Sequence, residues 1–322
     1  MYKNIPLFYF PLNIILIDDD IKLLDQLKNN LSKEFNVLST DNFSKAEQLI
    51  KNNNFNSKLN LLVNEDQEYY NLCNDSKTNI TYKLDFKNIT KFYDEIKNLN
   101  TSIGVIVVDY NMPVMNGIDF CKSIDDYKLK KILLTGELNF KEAILAFNSR
   151  TIDGYLNKGE PLILEKLHHA IKTLLWDLFI ELSFPLLNTL EVSGCPFIND
   201  KYFSNFFQEL IYTKNIREYH LINMNWNFLM IDDVGDKFLF IVQSENELQN
   251  NFVDLYKDIE EAKEFIELVQ SEKFIPYFGE NVDPLSVPFN KWKNMFYKSN
   301  KFISDSKEFF WVLLNVQTKA TL

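Results

Sequence analysis

Residues 103–117 constrain the fold more than any other stretch of this chain. They read I-G-V-I-V-V-D-Y-N-M-P-V-M-N-G. Ile103, Val105, Ile106, Val107 and Val108 form an almost unbroken apolar run that ends on a single carboxylate, Asp109. A run without polar alternation marks a strand buried on both faces, as in a parallel sheet covered by helices. A carboxylate at the end of such a strand stands at the sheet edge where α/β proteins gather their ligands. Taken alone, Asp109 reads more readily as a turn or helix-cap residue. Its meaning depends on what the other strands end on.

Asn13–Ile17 is a second buried strand, followed at once by Asp18, Asp19 and Asp20 and then by Leu23, Leu24, Leu27 and Leu31 at helical spacing. One of these carboxylates suffices for a helix cap. Three in a row repel one another unless a cation or a proton relieves them, and an all-oxygen set suits a hard divalent ion such as Mg²⁺. Val37–Ser39 reads as a strand and Phe43–Lys51 as a helix. After Asp109 the alternation continues: helix Gly117–Ile124, strand Lys131–Thr135, helix Phe140–Phe147, strand Gly154–Asn157 with Lys158 at its end, and a helix opened by Pro161 and running to about Phe179. The pattern predicts five β-α units in a parallel sheet with helices on both faces. All strand ends then point the same way, so Asp18, Asp19, Asp109, Thr135 and Lys158 share one edge.

Between the second helix and the strand ending on Asp109 stand about fifty residues where a compact unit needs only a short connection. Residues 51–100 are therefore read as a structured insertion, with a helix over Glu65–Leu72, a strand over Thr81–Phe86 and a helix over Ile89–Ile96. A docking or dimer surface and a plain structural elaboration are both open for it.

A length of 322 residues suggests two domains. With 46% hydrophobic and 15% aromatic residues, the chain can bury real cores. A net charge of −11 argues against broad attraction to DNA or anionic lipid. Cys73, Cys121 and Cys195 lack metal-site spacing and fit a reducing compartment. The apolar stretch Ile5–Ile17 holds two prolines and is too short to span a membrane. The expectation is a cytoplasmic protein with no membrane segment.

Residues 1–179 are read as one domain and 180–322 as another. The second has 13 Lys+Arg against 21 Asp+Glu, a net of −8. A helix over Tyr202–Tyr212, strands over Glu218–Ile222, Asn227–Ile231 and Phe238–Gln243, helices over Leu248–Tyr256 and Ala262–Val269, and a last central strand over Phe309–Val316 predict an α+β domain with an antiparallel sheet. Turn signals fall at 223–225 and 232–236, and there the carboxylates Asp232, Asp233 and Asp236 read as a polar turn before a cation site. Asn290–Phe302 interleaves lysines with aromatics; the basic face of a helix is the default, and a surface for single-stranded nucleic acid is the alternative. His168 and His169 lack metal-ligand neighbours and read as surface or interdomain residues. No helix-turn-helix with a basic recognition helix is present, which argues against DNA binding by that motif.

The segments I-L-I-D-D-D at 15–20, V-V-D-Y-N-M-P-V-M-N-G at 107–117, L-L-T-G at 133–136 and Y-L-N-K at 155–158 together resemble the receiver domain of two-component response regulators. The resemblance implies a flavodoxin-like five-stranded receiver. It makes Asp109 the phosphoacceptor; Asp18, Asp19, Asp109 and the backbone carbonyl of Asn111 the Mg²⁺ ligands; Thr135 and Lys158 the partners of the phosphoryl group; and Thr135 and Tyr155 the switch pair. It assigns no role to Asp20. Where that family usually has proline after the lysine, this chain has Gly159, with Pro161 later. The long insertion, K-K-I-L-L-T-G-E at 130–137, I-P-Y-F at 275–278 and F-F-W-V-L-L at 309–314 are similar to the Legionella quorum-sensing response-regulator family. That implies a phosphorylation-controlled regulator, and a receiver that promotes its own phosphoryl uptake and loss. The donor would be a sensor histidine kinase or phosphotransfer protein, and phosphorylation would drive homodimerisation. An output that binds or processes a nucleotide or nucleic acid is the alternative, and a PAS-like sensor sheet over residues 226–235 is a third reading.

Overall fold

The computed structural model describes residues 5–53, 102–124, 128–136, 140–191, 200–222, 226–279, 282–304 and 307–316. The chain forms two compact units, one of residues 9–189 and one of residues 190–322 together with the first eight residues.

The first unit is built on a five-stranded parallel sheet of β2 (Asn13–Ile17), β3 (Asn36–Thr40), β4 (Ile103–Asp109), β5 (Lys130–Thr135) and β6 (Gly154–Asn157), in the spatial order β3-β2-β4-β5-β6. Every residue of the central β4 is buried, which is why its sequence shows no alternation. The edge strands β3 and β6 are only partly buried. Helices α1 (Ile21–Leu31), α2 (Phe43–Asn52), α3 (Gly117–Ser123), α4 (Phe140–Asn148) and α5 (Ile163–Glu191) connect and follow the strands. Asp20 caps α1 by accepting from the Leu23 amide at 3.1 Å, so the third carboxylate of the D-D-D run has a plain structural job. Leu24, Leu27 and Leu31 then bury one face of that helix. Asn42 and Asn116 cap α2 and α3 in the same way. The expected helix ending near Phe179 runs on to Glu191, through Pro185. The three elements expected within the insertion lie outside the described residues.

The second unit holds a six-stranded sheet in the order β1-β7-β8-β9-β13-β12, where β1 is Phe8–Tyr9, β7 Ile216–Leu221, β8 Phe228–Asp232, β9 Lys237–Ser244, β12 Asn300–Ser304 and β13 Lys307–Asn315. Pairings from β7 through β12 are antiparallel. The short strands β10 (Phe274–Pro276) and β11 (Phe296–Lys298) pair separately as an antiparallel ribbon. One face of the large sheet packs on helix α6 (Lys201–Thr213), where Phe203, Phe206 and Phe207 meet Phe309, Phe228, Phe240 and Trp311. The other face, with Leu239, Ile241, Phe310 and Val312, packs on helical segments between residues 245 and 272 and on Trp292. Ser244 opens the first of these with a capping box to Glu247.

Two sequence expectations are corrected here. Asn290–Phe302 is not a helix: Phe289–Trp292 forms one helical turn, and then the chain enters β11 and β12. The aromatics that would stack bases are core instead, since Trp292 and Phe296 are buried and Trp292 Nε1 donates to the Val287 carbonyl at 2.9 Å. The sheet also gains β1 from the far end of the chain. The turn at 232–236 is a polar turn, with Asp232 Oδ1 accepting from the Asp236 amide at 2.8 Å and the Val234 amide at 3.1 Å. The turn expected at 223–225 lies outside the described residues.

Candidate functional site

The strand order reverses between β2 and β4: the chain leaves β2 toward β3 on one side and returns to β4 on the other. That switch point opens a crevice beyond the strand ends. Register decides which residues line it. Ile17 pairs with Val108, so Asp18 and Asp109 emerge side by side. Asp109 pairs with Leu134 and Thr135 with Asn157, so Thr135 and Lys158 follow one residue past their neighbours on the same edge. The Lys158 amide donates to the Thr135 carbonyl at 2.8 Å, which holds the lysine at the end of β6. Asn157 Oδ1 accepts from the Gly159 amide at 2.8 Å and closes the turn where Gly159 stands in place of the usual proline.

The side chains converge. Lys158 Nζ lies 2.6 Å from Asp18 Oδ2 and 2.9 Å from Asp109 Oδ1. Asp18 and Asp109 are only 3% and 4% exposed, and Thr135 1%. Asp18 Oδ1 accepts from the Asp20 amide at 3.0 Å, and Asp109 Oδ2 from the Asn111 amide at 3.1 Å. Burial pushes the Asp18 carboxyl above its ordinary range, and the Lys158 ammonium and the Asp20 amide only partly offset this. Burial pulls the other way on Lys158, yet its two carboxylate partners win and hold its pKa above the ordinary lysine value.

Carboxylate oxygens of Asp18, Asp19 and Asp109 lie within 4.8 Å of one another, with Asp19 exposed to solvent. Asp18 Oδ2 is buried, and its contact with Lys158 is an ion pair by distance that lies off the line of an aligned hydrogen bond. An all-oxygen set with an incompletely satisfied buried carboxylate fits a hard divalent cation. Gly117 makes the close packing behind the site possible. A Cβ there would meet the Asp109 carbonyl oxygen at 2.3 Å, and its amide donates to the Tyr110 carbonyl at 3.0 Å. Tyr155 is half-buried and packs on the core of this unit.

Two groups escaped the sequence reading. The Tyr110 hydroxyl bonds Glu142 on α4, tying the loop after Asp109 to that helix. At the opposite end of the sheet, buried Lys130 pairs with Glu181 at 2.6 Å and Asp153 at 3.4 Å. Neither shows a local motif, because the partners lie 32 and 51 residues apart for Tyr110–Glu142 and Lys130–Glu181. His168 pairs with Glu34 within the same unit.

A parallel sheet in this strand order, with an acid pocket and a lysine at its switch point, has the receiver (CheY-like) fold found in response regulators. Over its length the chain is similar to the Legionella pneumophila response regulator LqsR, with 27% identity, a TM-score of 0.75, and coverage of 98% of this chain and 90% of that one. Also similar are the receiver domain of an HD domain-containing protein from Pseudomonas fluorescens Pf-5 (17% identity, TM-score 0.35, 56% of this chain and 93% of that one) and a CheY-like receiver domain protein from Methanospirillum hungatei JF-1 (18%, 0.33, 53% and 98%). No protein-family model and no curated protein matches the sequence. Among the described residues no helix is long and apolar enough to cross a membrane.

Proposed function

We propose that Asp109 accepts a phosphoryl group from a phosphohistidine of a sensor kinase or phosphotransfer protein, and that this switches the chain's output in a quorum-sensing circuit. The observation that carries the reading is the placement of Lys158 between two buried carboxylates at the switch point. The likeness to LqsR across 98% of the chain supports it. An Asp109 oxygen attacks phosphorus, a P–O bond forms, and the P–N bond to imidazole breaks. A carboxylate is a weak nucleophile and is repelled by an anionic donor, so the chain's task is positioning and charge compensation. Lys158 is within reach of Asp109 and meets the incoming charge. Thr135, one residue past the strand neighbour of Asp109, offers its hydroxyl to a phosphoryl oxygen, and Tyr155 is the aromatic that responds when Thr135 moves. Asp18, Asp19 and Asp109, with the Asn111 carbonyl, would hold Mg²⁺, which supplies further neutralisation of phosphoryl oxygens. Homodimerisation on phosphorylation and a cytoplasmic location complete the proposal.

The test is labelling by a small phosphodonor in the presence of Mg²⁺. Wild type gains an acid-labile phosphoryl label and Asp109→Asn gains none. Full labelling of Asp109→Asn would sink the assignment. Light scattering with and without beryllofluoride reads the dimer separately.

A further inference from the structure

The chain's first described residues do not belong to the receiver. Ile5, Leu7 and Phe8 are buried, the Leu221 amide donates to the Leu7 carbonyl at 2.8 Å, and β1 forms one end of the six-stranded sheet. β1 is two residues long, at the short end of the range for strands. From Tyr9 onward the chain packs on rings of α5. The Tyr9 ring lies 4.8 Å from that of Phe179 and 6.0 Å from that of Trp176, and the Phe10 ring meets Phe179 edge-on at 4.9 Å. Phe10 and Phe179 are fully buried. Two residues on, Leu12 shares a seat with Leu175 of α5. Both press on Gly104, where a Cβ would come within 2.7 Å of Leu12 Cδ1 and 2.8 Å of Leu175 Cδ2.

The polypeptide therefore passes between its two units twice, after Phe8 and after Thr189. The segment entering the receiver is packed against the helix that leaves it. Both rest on β4, the strand that carries Asp109.

We infer that Tyr9 and Phe10, seated on Trp176 and Phe179, form an aromatic clasp that holds β1 in its sheet, and that α5 is the handle by which the receiver controls that strand. Ring pairs of this kind add stabilisation beyond their buried area, and the clasp begins at the last residue of β1 itself. A shift of α5, or of its seat on Gly104, pulls directly on the strand. Control by the receiver rests on phosphoryl transfer to Asp109; the clasp does not.

Hydrogen exchange of the full chain, read by peptide, tests both halves. Phe179→Leu and the milder Gly104→Ala should each speed exchange in residues 5–8 and at the Leu221 amide by about tenfold. Exchange in β2 should stay within about twofold. Phe43→Leu, which disturbs the Phe43–Phe120 stack elsewhere in the receiver core, should leave residues 5–8 unchanged. Unchanged exchange at residues 5–8 in both clasp variants, or a rise spread evenly over both units, overturns the clasp. Acetyl phosphate with Mg²⁺ should speed the same peptide in wild type but not in Asp109→Asn. Labelled wild type with unaltered exchange at residues 5–8 overturns control by the receiver. Failure of labelling overturns the phosphoacceptor reading and that control with it, while the clasp is still decided by its own variants.

Discussion

Replacing Lys158 with methionine keeps most of the side-chain stem and removes the ammonium from between Asp18 and Asp109. The two carboxylate side chains are 4% and 5% exposed and the lysine 22%, so the pair is buried on the acid side and partly open on the basic side. Breaking a buried pair by removing one partner costs about 3–5 kcal/mol, and partial exposure of the lysine puts this case near the lower end, about 3 kcal/mol. In a unit of this size that is a fall in Tm of about 6–12 °C. The pH dependence has a definite sign. Asp18 is raised from 3.8, so its contribution to stability is complete below that value and is lost as pH climbs through its folded pKa. Lys158 is raised from 10.5, so its contribution holds at neutral pH and is lost only as pH climbs past that value through its higher folded pKa. The variant's deficit should therefore be largest near neutrality and shrink in acid, where Asp18 takes up a proton. Adding Mg²⁺ should raise the variant's Tm more than that of wild type, because no ammonium competes for the carboxylates; saturation at about a hundredfold over Kd is worth about 2.7 kcal/mol. The assay is thermal unfolding across pH 4–8 with and without Mg²⁺. A deficit that is flat with pH and equal Mg²⁺ shifts in the two proteins would refute the reasoning and assign the loss to packing of the lysine stem.

Two further outcomes are expected alongside those for Asp109 and the clasp. Gly117→Ala places a Cβ 2.3 Å from the Asp109 carbonyl oxygen, a backbone atom that cannot swing aside; labelling of Asp109 should fall by more than about tenfold, consistent with displacement of an aligned nucleophile, and wild-type labelling rates would contradict the close approach. Trp292→Ala empties a fully buried site in the second unit, should cost about 3–5 kcal/mol, and should leave the initial rate of Asp109 labelling unaltered; a stability change under about 1 kcal/mol by denaturant titration would return that indole to the surface and reopen the stacking role.

The receiver fold and the convergence of its candidate residues were legible because those residues stand at strand ends. Buried parallel strands show as unbroken apolar runs, so the last residue of each run is also the residue at the site. Asp18, Asp109, Thr135 and Lys158 could be placed on one edge without knowing any distance. The length of α5 was not legible for a local reason: Pro185 has no N–H to give the Glu181 carbonyl, the usual signature of a helix end, yet the helix passes through to Glu191. The segment after Asn290 misled because lysines among aromatics suit a helix face as well as a solvated strand edge. Burial of Trp292 and Phe296 decides the matter, and burial is a property of the packed domain. β1 was illegible in principle. A two-residue strand has no period, and its partner β7 begins more than two hundred residues later.

One lysine cannot balance this pocket. Asp18, Asp19 and Asp109 ionised bring three negative charges against the one positive charge of Lys158, and Asp109 adds to the burial that raises the pKa of Asp18. A phosphoryl group adds anionic oxygens to the same crevice. Uptake would therefore be favoured only when a further cation shares the carboxylates, and a divalent ion offsets the excess without a proton being taken from solvent. Lys158 would then not be needed to hold Asp18: its Nζ already lies 2.9 Å from Asp109, so under the proposed phosphorylation a small rotation about the stem would move the charge from the neighbouring acid toward the new oxygens. The same ion pair that stabilises the resting pocket is thus the one whose exchange of partners would report the modification. This ties the resting electrostatics of the β2 and β4 ends to any switch carried onward by Thr135 and Tyr155.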